Sequence, residues 1–231
     1  MNKDEAYKLM DCLGRLTHDP VAWVYFAFDW DNDPELKGQK PQKWQLEQLE
    51  RIAKGLETPD TVIRQAVSSG HGIGKSTTVA WLILWAISTH PDTRGVVTAN
   101  TEAQLRTKTW AELAKWHRKF IGKELFTYTA TAIFSIEAEH ERTWRIDAIP
   151  WSVTNTEAFA GLHNQGRRIL IIFDEASAID DRIWEVAEGA LTDKNTEIIW
   201  CCYGNPTRNV GRFHACFTKY RNYWDTKKID S

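Results

Sequence analysis

Four short apolar runs set the frame for this chain: TVIRQAV from Thr61, GVVTA from Gly95, RRILIIF from Arg167 and TEIIWCCY from Thr196. Strands that read as continuous Val, Ile and Leu rather than alternating are buried on both faces, the habit of parallel strands covered by helices. Helical patterns lie between them. TTVAWLILWAIST stops before Pro91, TEAQLRTKTWAELAKWHRKF begins at Thr101, and DDRIWEVAEGALT begins at Asp180. This alternation predicts an α/β fold with a doubly wound, mostly parallel sheet, whose ligands belong at the carboxyl ends of the strands. FTYTATAIFSIEAE and RTWRIDAIPWSV add a pair of alternating strands around the charged turn EHER.

Ahead of this core, residues 1 to 30 read as mixed helix and DWDNDPELKG as an exposed turn. PQKWQLEQLERIAKGL then carries Trp44, Leu46, Leu49, Ile52 and Leu56 at helical spacing, with Pro41 near its start and Gly55 near its end. The expected organisation is a helical segment over 1–60 and a sheet core over 61–231. A length of 231 residues suits one such unit.

The segment SSGHGIGKST sits where the first core strand ends and a helix begins. In such a loop, backbone N–H groups face phosphate oxygens, glycines allow close approach, and the helix adds its positive end. Lys75 is the expected cation for the β- and γ-phosphates, and Ser76 the hydroxyl for Mg²⁺. The nucleotide-binding set is thus Ser69, Gly70, His71, Gly72, Ile73, Gly74, Lys75, Ser76 and Thr77. The common pattern G-x-x-x-x-G-K-[ST] has glycine where this chain has Ser69, with Gly70 and Gly72 beside it.

Further along, the run ILIIF ends in Asp174 and Glu175. A strand beside a phosphate loop supplies one carboxylate to the metal and a second to orient and deprotonate the attacking water. Asp174 takes the first role and Glu175 the second. Alone, an acidic pair after a strand is an ordinary surface turn; paired with the loop, in this order and at strand ends, it points to ATP hydrolysis with Mg²⁺. No N-K-x-D motif reads guanine, and DKN at Asp193 has the wrong order.

Together with PQKWQ, AFAGLH and YGNPTRNVGRF, these residues resemble the ATPase domain of the large terminase subunit of tailed bacteriophages, the motor that pumps DNA into a procapsid. The resemblance covers nearly the whole chain. It implies a RecA-like P-loop fold with a catalytic glutamate after the metal-binding aspartate, and Mg²⁺ with ATP as substrate. It implies that Gln45 reads adenine with Trp44 stacking nearby, and that Gly204, Asn205, Pro206 and Thr207 form a coupling motif sensing the γ-phosphate. Implied partners are double-stranded DNA, further copies of the chain in a ring, the portal protein and the terminase small subunit, in the cytoplasm of an infected bacterium. Many terminases have arginine four residues before the loop lysine; this chain has His71. An arginine finger should still exist, and Arg106, Arg145, Arg167 and Arg168 stand as candidates, in cis or in trans. Terminases generally continue into a nuclease domain. This chain ends at KKIDS, so no cutting activity is expected of it.

Other features carry less. A formal net charge of −2 suits no general nucleic-acid coat, so any DNA contact must be local, with Arg106 to Lys119 the best stretch or else a solvated helix face. Of twelve tryptophans, Trp81, Trp85, Trp110 and Trp116 fall on helices and read as core rather than base-stacking surface. Cys12, Cys201, Cys202 and Cys216 show no C-x-x-C spacing, and Cys201, Cys202, His214 and Cys216 match no common zinc set. No basic leader or membrane-length apolar run occurs. Two other functions compete: a helicase-like or other nucleic-acid-remodelling ATPase, and a nucleotide-dependent binding module, against which Glu175 argues.

Overall fold

The structure, a computed structural model, describes residues 1–229, so the last two letters of KKIDS lie outside it. Its strands are β1 (Val62–Ser69), β2 (Arg94–Thr98), β3 (Phe126–Tyr128), β4 (Ala132–Ser135), β5 (Arg145–Ala148), β6 (Arg168–Phe173), β7 (Glu197–Gly204) and β8 (Asp225–Ile229). They form one eight-stranded sheet in the order β3-β4-β5-β2-β6-β7-β1-β8. From β5 to β8 every pairing is parallel; β4 runs antiparallel to β3 and β5. The four apolar runs are four adjacent interior strands, β2, β6, β7 and β1, and the expected fold class holds. The two alternating segments resolve into three strands, because FTYTATAIFS turns back on itself between Tyr128 and Ala132.

Both faces of the sheet are covered, and the period-two alternation of each strand sorts its side chains between two cores. Leu170, Ile172, Ile199, Cys201 and Tyr203 point to one core; Ile171, Phe173, Trp200 and Cys202 point to the other. The first core holds α1 (Lys3–Gly14), α2 (Pro20–Ala27), α3 (Lys43–Leu56) and α4 (Lys75–Thr89). It also holds the element after β2, where α5 (Glu102–Gln104) continues through a π-helical stretch, Leu105–Trp110, into α6 (Ala111–Lys119). The second holds α7 (Glu157–Ala160), α8 (Asp181–Gly189) and α9 (Arg212–Cys216).

Local chemistry fixes the ends of these elements. Asn2 caps α1 in a reciprocal pair with Glu5, and Asp19 accepts from the Ala22 N–H at the start of α2, where Pro20 occupies the first turn. The α4 helix is apolar around its whole circumference and buried nearly throughout, as a helix between a sheet and a second helical layer must be. Trp81, Trp85, Trp110 and Trp116 are buried, as their helical positions predicted. Cys201 and Cys202 face opposite cores, so they cannot bind one ion together. Burial pushes the Cys201 thiol up to about 12, which keeps it protonated. Among the described residues, no helix is long and apolar enough to cross a membrane.

Arg168, the first residue of β6, has no exposed surface and lies at the end of the sheet opposite the carboxyl ends of the parallel strands. Its guanidinium donates to Glu197 Oε2 at 2.7 Å, Thr89 Oγ1 at 2.8 Å and the Thr17 carbonyl at 2.9 Å, and lies 4.3 Å over the Trp85 ring. Removing one member of a buried ion pair strands the other. Arg168→Ala should therefore lower unfolding stability by about 3–5 kcal/mol, measured by urea denaturation; a loss under about 1 kcal/mol would show that water replaces the guanidinium.

Candidate functional site

The site lies where the carboxyl ends of β1, β6 and β7 meet the amino end of α4. The chain leaves β1 at Ser69, runs through Gly70 to Gly74 and enters α4 at Lys75. Gly74 has φ +89°, a left-handed conformation that disfavours a side chain. A Cβ there would also stand 3.0 Å from the amide nitrogen of Gln45. Position 69 makes no such demand: it closes a strand and its φ is not positive, so the backbone accepts serine where the common pattern has glycine.

Lys75 is buried, and its ammonium donates to the Gly70 carbonyl at 2.7 Å, Asn205 Oδ1 at 2.7 Å, Ser69 Oγ at 3.0 Å and the Ser69 carbonyl at 3.2 Å. The serine hydroxyl is thus an extra acceptor for the lysine. Burial lowers the Lys75 pKa, while the nearby Glu175 and Asp174 carboxylates pull it back up. The Asp174 carboxyl is pushed up, chiefly by burial; a hydrogen bond from Thr109 opposes this and the Glu175 charge adds to it. Cation and carboxylates therefore lie within electrostatic reach of one another in the crevice outside the strand ends, with Lys75 and Asp174 both buried.

Asp174 follows β6 directly, with its backbone N–H bonded to the Thr98 carbonyl at 2.8 Å. Its Oδ1 accepts the Glu175 N–H at 3.0 Å, and its Oδ2 accepts the Thr109 hydroxyl at 2.6 Å. Glu175 is half-buried and held at φ +49°, a strained position for a residue with a side chain. Ser76 is half-buried behind Lys75. Thr77 Oγ1 donates to Glu112 Oε1 at 3.0 Å, so its hydroxyl faces α6 rather than the cradle.

The segment after β7, expected to be the coupling motif, reaches both Lys75 and the turn after Glu175. Gly204 ends β7, and a Cβ on it would fall 2.8 Å from the Phe213 ring and 3.2 Å from the Ser177 nitrogen, so only glycine permits this approach. The Thr207 and Ser177 hydroxyls lie 3.3 Å apart, which places Thr207 on the turn just after Glu175. Asn205 is buried between Lys75 and the exposed His71 ring, whose Nε2 is 3.0 Å from its amide nitrogen. Pro206 is exposed.

Several expectations are corrected. Gln45 is buried, and its amide is engaged inside the protein: Nε2 donates to Thr78 Oγ1 at 3.0 Å and the Gly74 carbonyl at 3.2 Å, while Oε1 accepts the Gln42 N–H at 2.8 Å. It props the phosphate loop instead of facing an open base pocket. Trp44 is also buried, donating to the Ile73 carbonyl at 3.1 Å, and offers no stacking face. The exposed amide beside the loop belongs to Gln42. Among the arginines, Arg145 and Arg168 open β5 and β6, and Arg167 immediately precedes β6, so all three lie at the end of the sheet away from the crevice. Arg145 is paired with Asp147, and Arg168 is sealed in the interior. Arg106, on the element that follows β2, is the one on the correct side; it bonds the Ala130 carbonyl and Glu102. Thr109 and Ser177 were not legible as site residues.

The oxygen donors here, Ser76, Asp174 and Glu175, suit a hard cation such as Mg²⁺, and the raised Asp174 carboxyl is a misfit that a cation relieves. No three His, Cys, Asp or Glu side chains cluster for a metal among the described residues. A site shared with phosphates needs only one or two. A groove of about 530 Å³ between α1 and the β3–β4 hairpin includes no residue of the phosphate loop or the acidic pair.

No family model matches the chain. In sequence it is 28% identical over 199 residues to a probable terminase large subunit of Enterobacteria phage P7, covering 82% of this chain and 37% of that protein. The chain thus spans little more than a third of that relative. In structure it matches the large terminase of bacteriophage HK97 with a TM-score of 0.62 at 12% identity, over 92% of this chain and 43% of that one. It matches a mutant ATPase domain of the Thermus phage P74-26 large terminase with a TM-score of 0.57 at 16% identity, over 84% and 83%. It also matches the large terminase of a thermophilic bacteriophage in complex with ADP, with a TM-score of 0.53 at 10% identity, over 94% and 44%. The chain is a sequence relative of a phage terminase large subunit, folded as the ATPase domains of large terminases are.

Proposed function

We propose that this chain is the ATPase domain of a phage terminase large subunit, hydrolysing ATP with Mg²⁺ to drive double-stranded DNA into a procapsid. One observation carries the proposal: the buried Lys75 at the amino end of α4 and the buried Asp174 after a different strand stand within electrostatic reach of each other, with Ser76 and Glu175 beside them in sequence. The relationship to the phage P7 protein directs that chemistry toward packaging. The ADP complex of a structural neighbour lends the same fold a nucleotide.

In this reading Lys75 exchanges its contacts with Ser69, Gly70 and Asn205 for β- and γ-phosphate oxygens, helped by the loop N–H groups and the α4 dipole. Ser76 and Asp174 hold Mg²⁺, which when bound neutralises charge on the β- and γ-phosphates. Glu175 orients the attacking water and takes its proton. Asn205, released from Lys75, carries the state of the γ-phosphate into β7, while Thr207 touches the turn behind Glu175. Of the two glutamines in PQKWQ, Gln42 has the exposed amide suited to an adenine edge. Arg106 is the finger candidate that topology leaves, in cis or from a neighbour in a ring. DNA, the portal and the small subunit are the partners, in the cytoplasm of the infected host.

Two substitutions test the chemistry. Lys75→Ala should weaken ATP binding roughly 10- to 100-fold, the worth of a charge-assisted contact; unchanged affinity by isothermal titration would remove Lys75 as the phosphate anchor. Glu175→Gln should keep ATP affinity within about threefold while turnover falls by roughly 10²–10⁴. Parallel loss of binding and turnover would refute a water-activating role.

A further inference from the structure

Between β2 and the β3–β4 hairpin, a helix that sequence periodicity reads as continuous is interrupted by the π-helical stretch Leu105–Trp110. A π turn packs less well than an α turn and recurs at functional sites, where the extra residue re-aims a side chain. Here the redirected side chain is that of Thr109. A threonine within a helix usually returns its hydroxyl to the carbonyl four residues back, and Thr107 does so, donating to Ala103 at 2.7 Å. Thr109 instead is buried and donates to Asp174 Oδ2 at 2.6 Å.

That bond completes a two-sided grip. With the Glu175 N–H on Oδ1 and the Thr109 hydroxyl on Oδ2, the carboxylate cannot rotate, and each oxygen keeps a lone pair for another partner. One turn later the same element meets the phosphate-loop helix: Glu112 accepts from Thr77 Oγ1 at 3.0 Å and from Trp116 Nε1 at 2.9 Å. A single element thus bonds both to the strand that presents the metal carboxylate and to the helix that presents Ser76.

We infer that Thr109 is a positioning residue: through the π turn it fixes the Asp174 carboxylate relative to the α4 amino end, so that the two can share one divalent cation. The inference deepens the ATPase reading above and rests on it. Threonine is needed for its hydroxyl alone, so serine should serve and valine, of nearly the same shape, should not.

The test compares the unaltered chain with Thr109→Val, Thr109→Ser and Thr109→Ala by fluorescent ATP-analogue titration in EDTA and across a Mg²⁺ series, with circular dichroism to confirm folding. Outer partners of metal ligands typically contribute about 10- to 100-fold in metal affinity. The expected result is equal affinity in EDTA for all four chains, a Mg²⁺ requirement shifted at least tenfold upward in the valine and alanine variants, and recovery in the serine variant. Valine and alanine variants with the unaltered Mg²⁺ requirement would overturn the inference while leaving the ATPase reading intact. Equal weakening in EDTA and in Mg²⁺ would also overturn it, by showing a structural role. An unaltered chain that binds no nucleotide in either condition would overturn the ATPase reading and the inference together.

Discussion

The ammonium of Lys75, taken out of water at the carboxyl ends of β1 and β7, is the interaction on which the rest of the site depends. Four oxygens surround it, and three come from the chain's own loop. Those neutral acceptors only partly replace water, and burial lowers the lysine's pKa despite the two carboxylates nearby. Asp174 carries the mirror-image penalty: a carboxyl in the same dry region, pushed upward by burial and by Glu175. A site holding a buried cation and a buried carboxyl, each disfavoured by loss of water, is suited to a group bearing both signs of charge. In the proposed function that group is a metal–triphosphate complex, whose anionic oxygens would meet the lysine and whose cation would meet the carboxylates.

Communication out of the crevice follows from close packing rather than from a flexible connection. Gly204 lets β7 approach the Ser177 turn more tightly than any side chain would allow, and Asn205, the next residue, bonds the lysine. The lysine is therefore bonded to the residue that directly follows β7, a strand paired on both sides, with β6 and β1. Packed elements of this kind shift between discrete arrangements instead of deforming smoothly. The buried Gln48–Tyr203 hydrogen bond at 2.7 Å extends the link from β7 to α3, the helix whose start carries the loop-supporting Trp44 and Gln45.

What the sequence made legible divides along physical lines. The positions of the parallel strands, of the glycine-rich loop between β1 and α4 and of the acidic pair after β6 were readable because each is a local pattern with a local cause: continuous apolar burial, glycine-permitted turns, polar residues at strand ends. Gln45 and Trp44 were read in the right neighbourhood but with the wrong direction, since spacing does not reveal whether an amide points to solvent or beneath a loop. Arg167 and Arg168 stand at the start of a strand whose other end leads into Asp174, so strand polarity alone separates them from the crevice. The π turn had no signature at all. LRTKTW fits an α-helix in composition, and only the pull of Asp174 on Thr109 gives the extra residue a purpose.

Surface charge completes the picture for DNA. The stretch Arg106 to Lys119 looks basic when written out, but the fold neutralises part of it. Lys119 is held by Asp33 and Glu35 at 3.0 Å, and Arg106 pairs with Glu102. Lys108, Lys115 and Arg118 remain exposed, too few charges in one place for tight phosphate binding by a single copy. The fold thus leaves a short run of free positive charge on this element, in a chain whose formal net charge is −2.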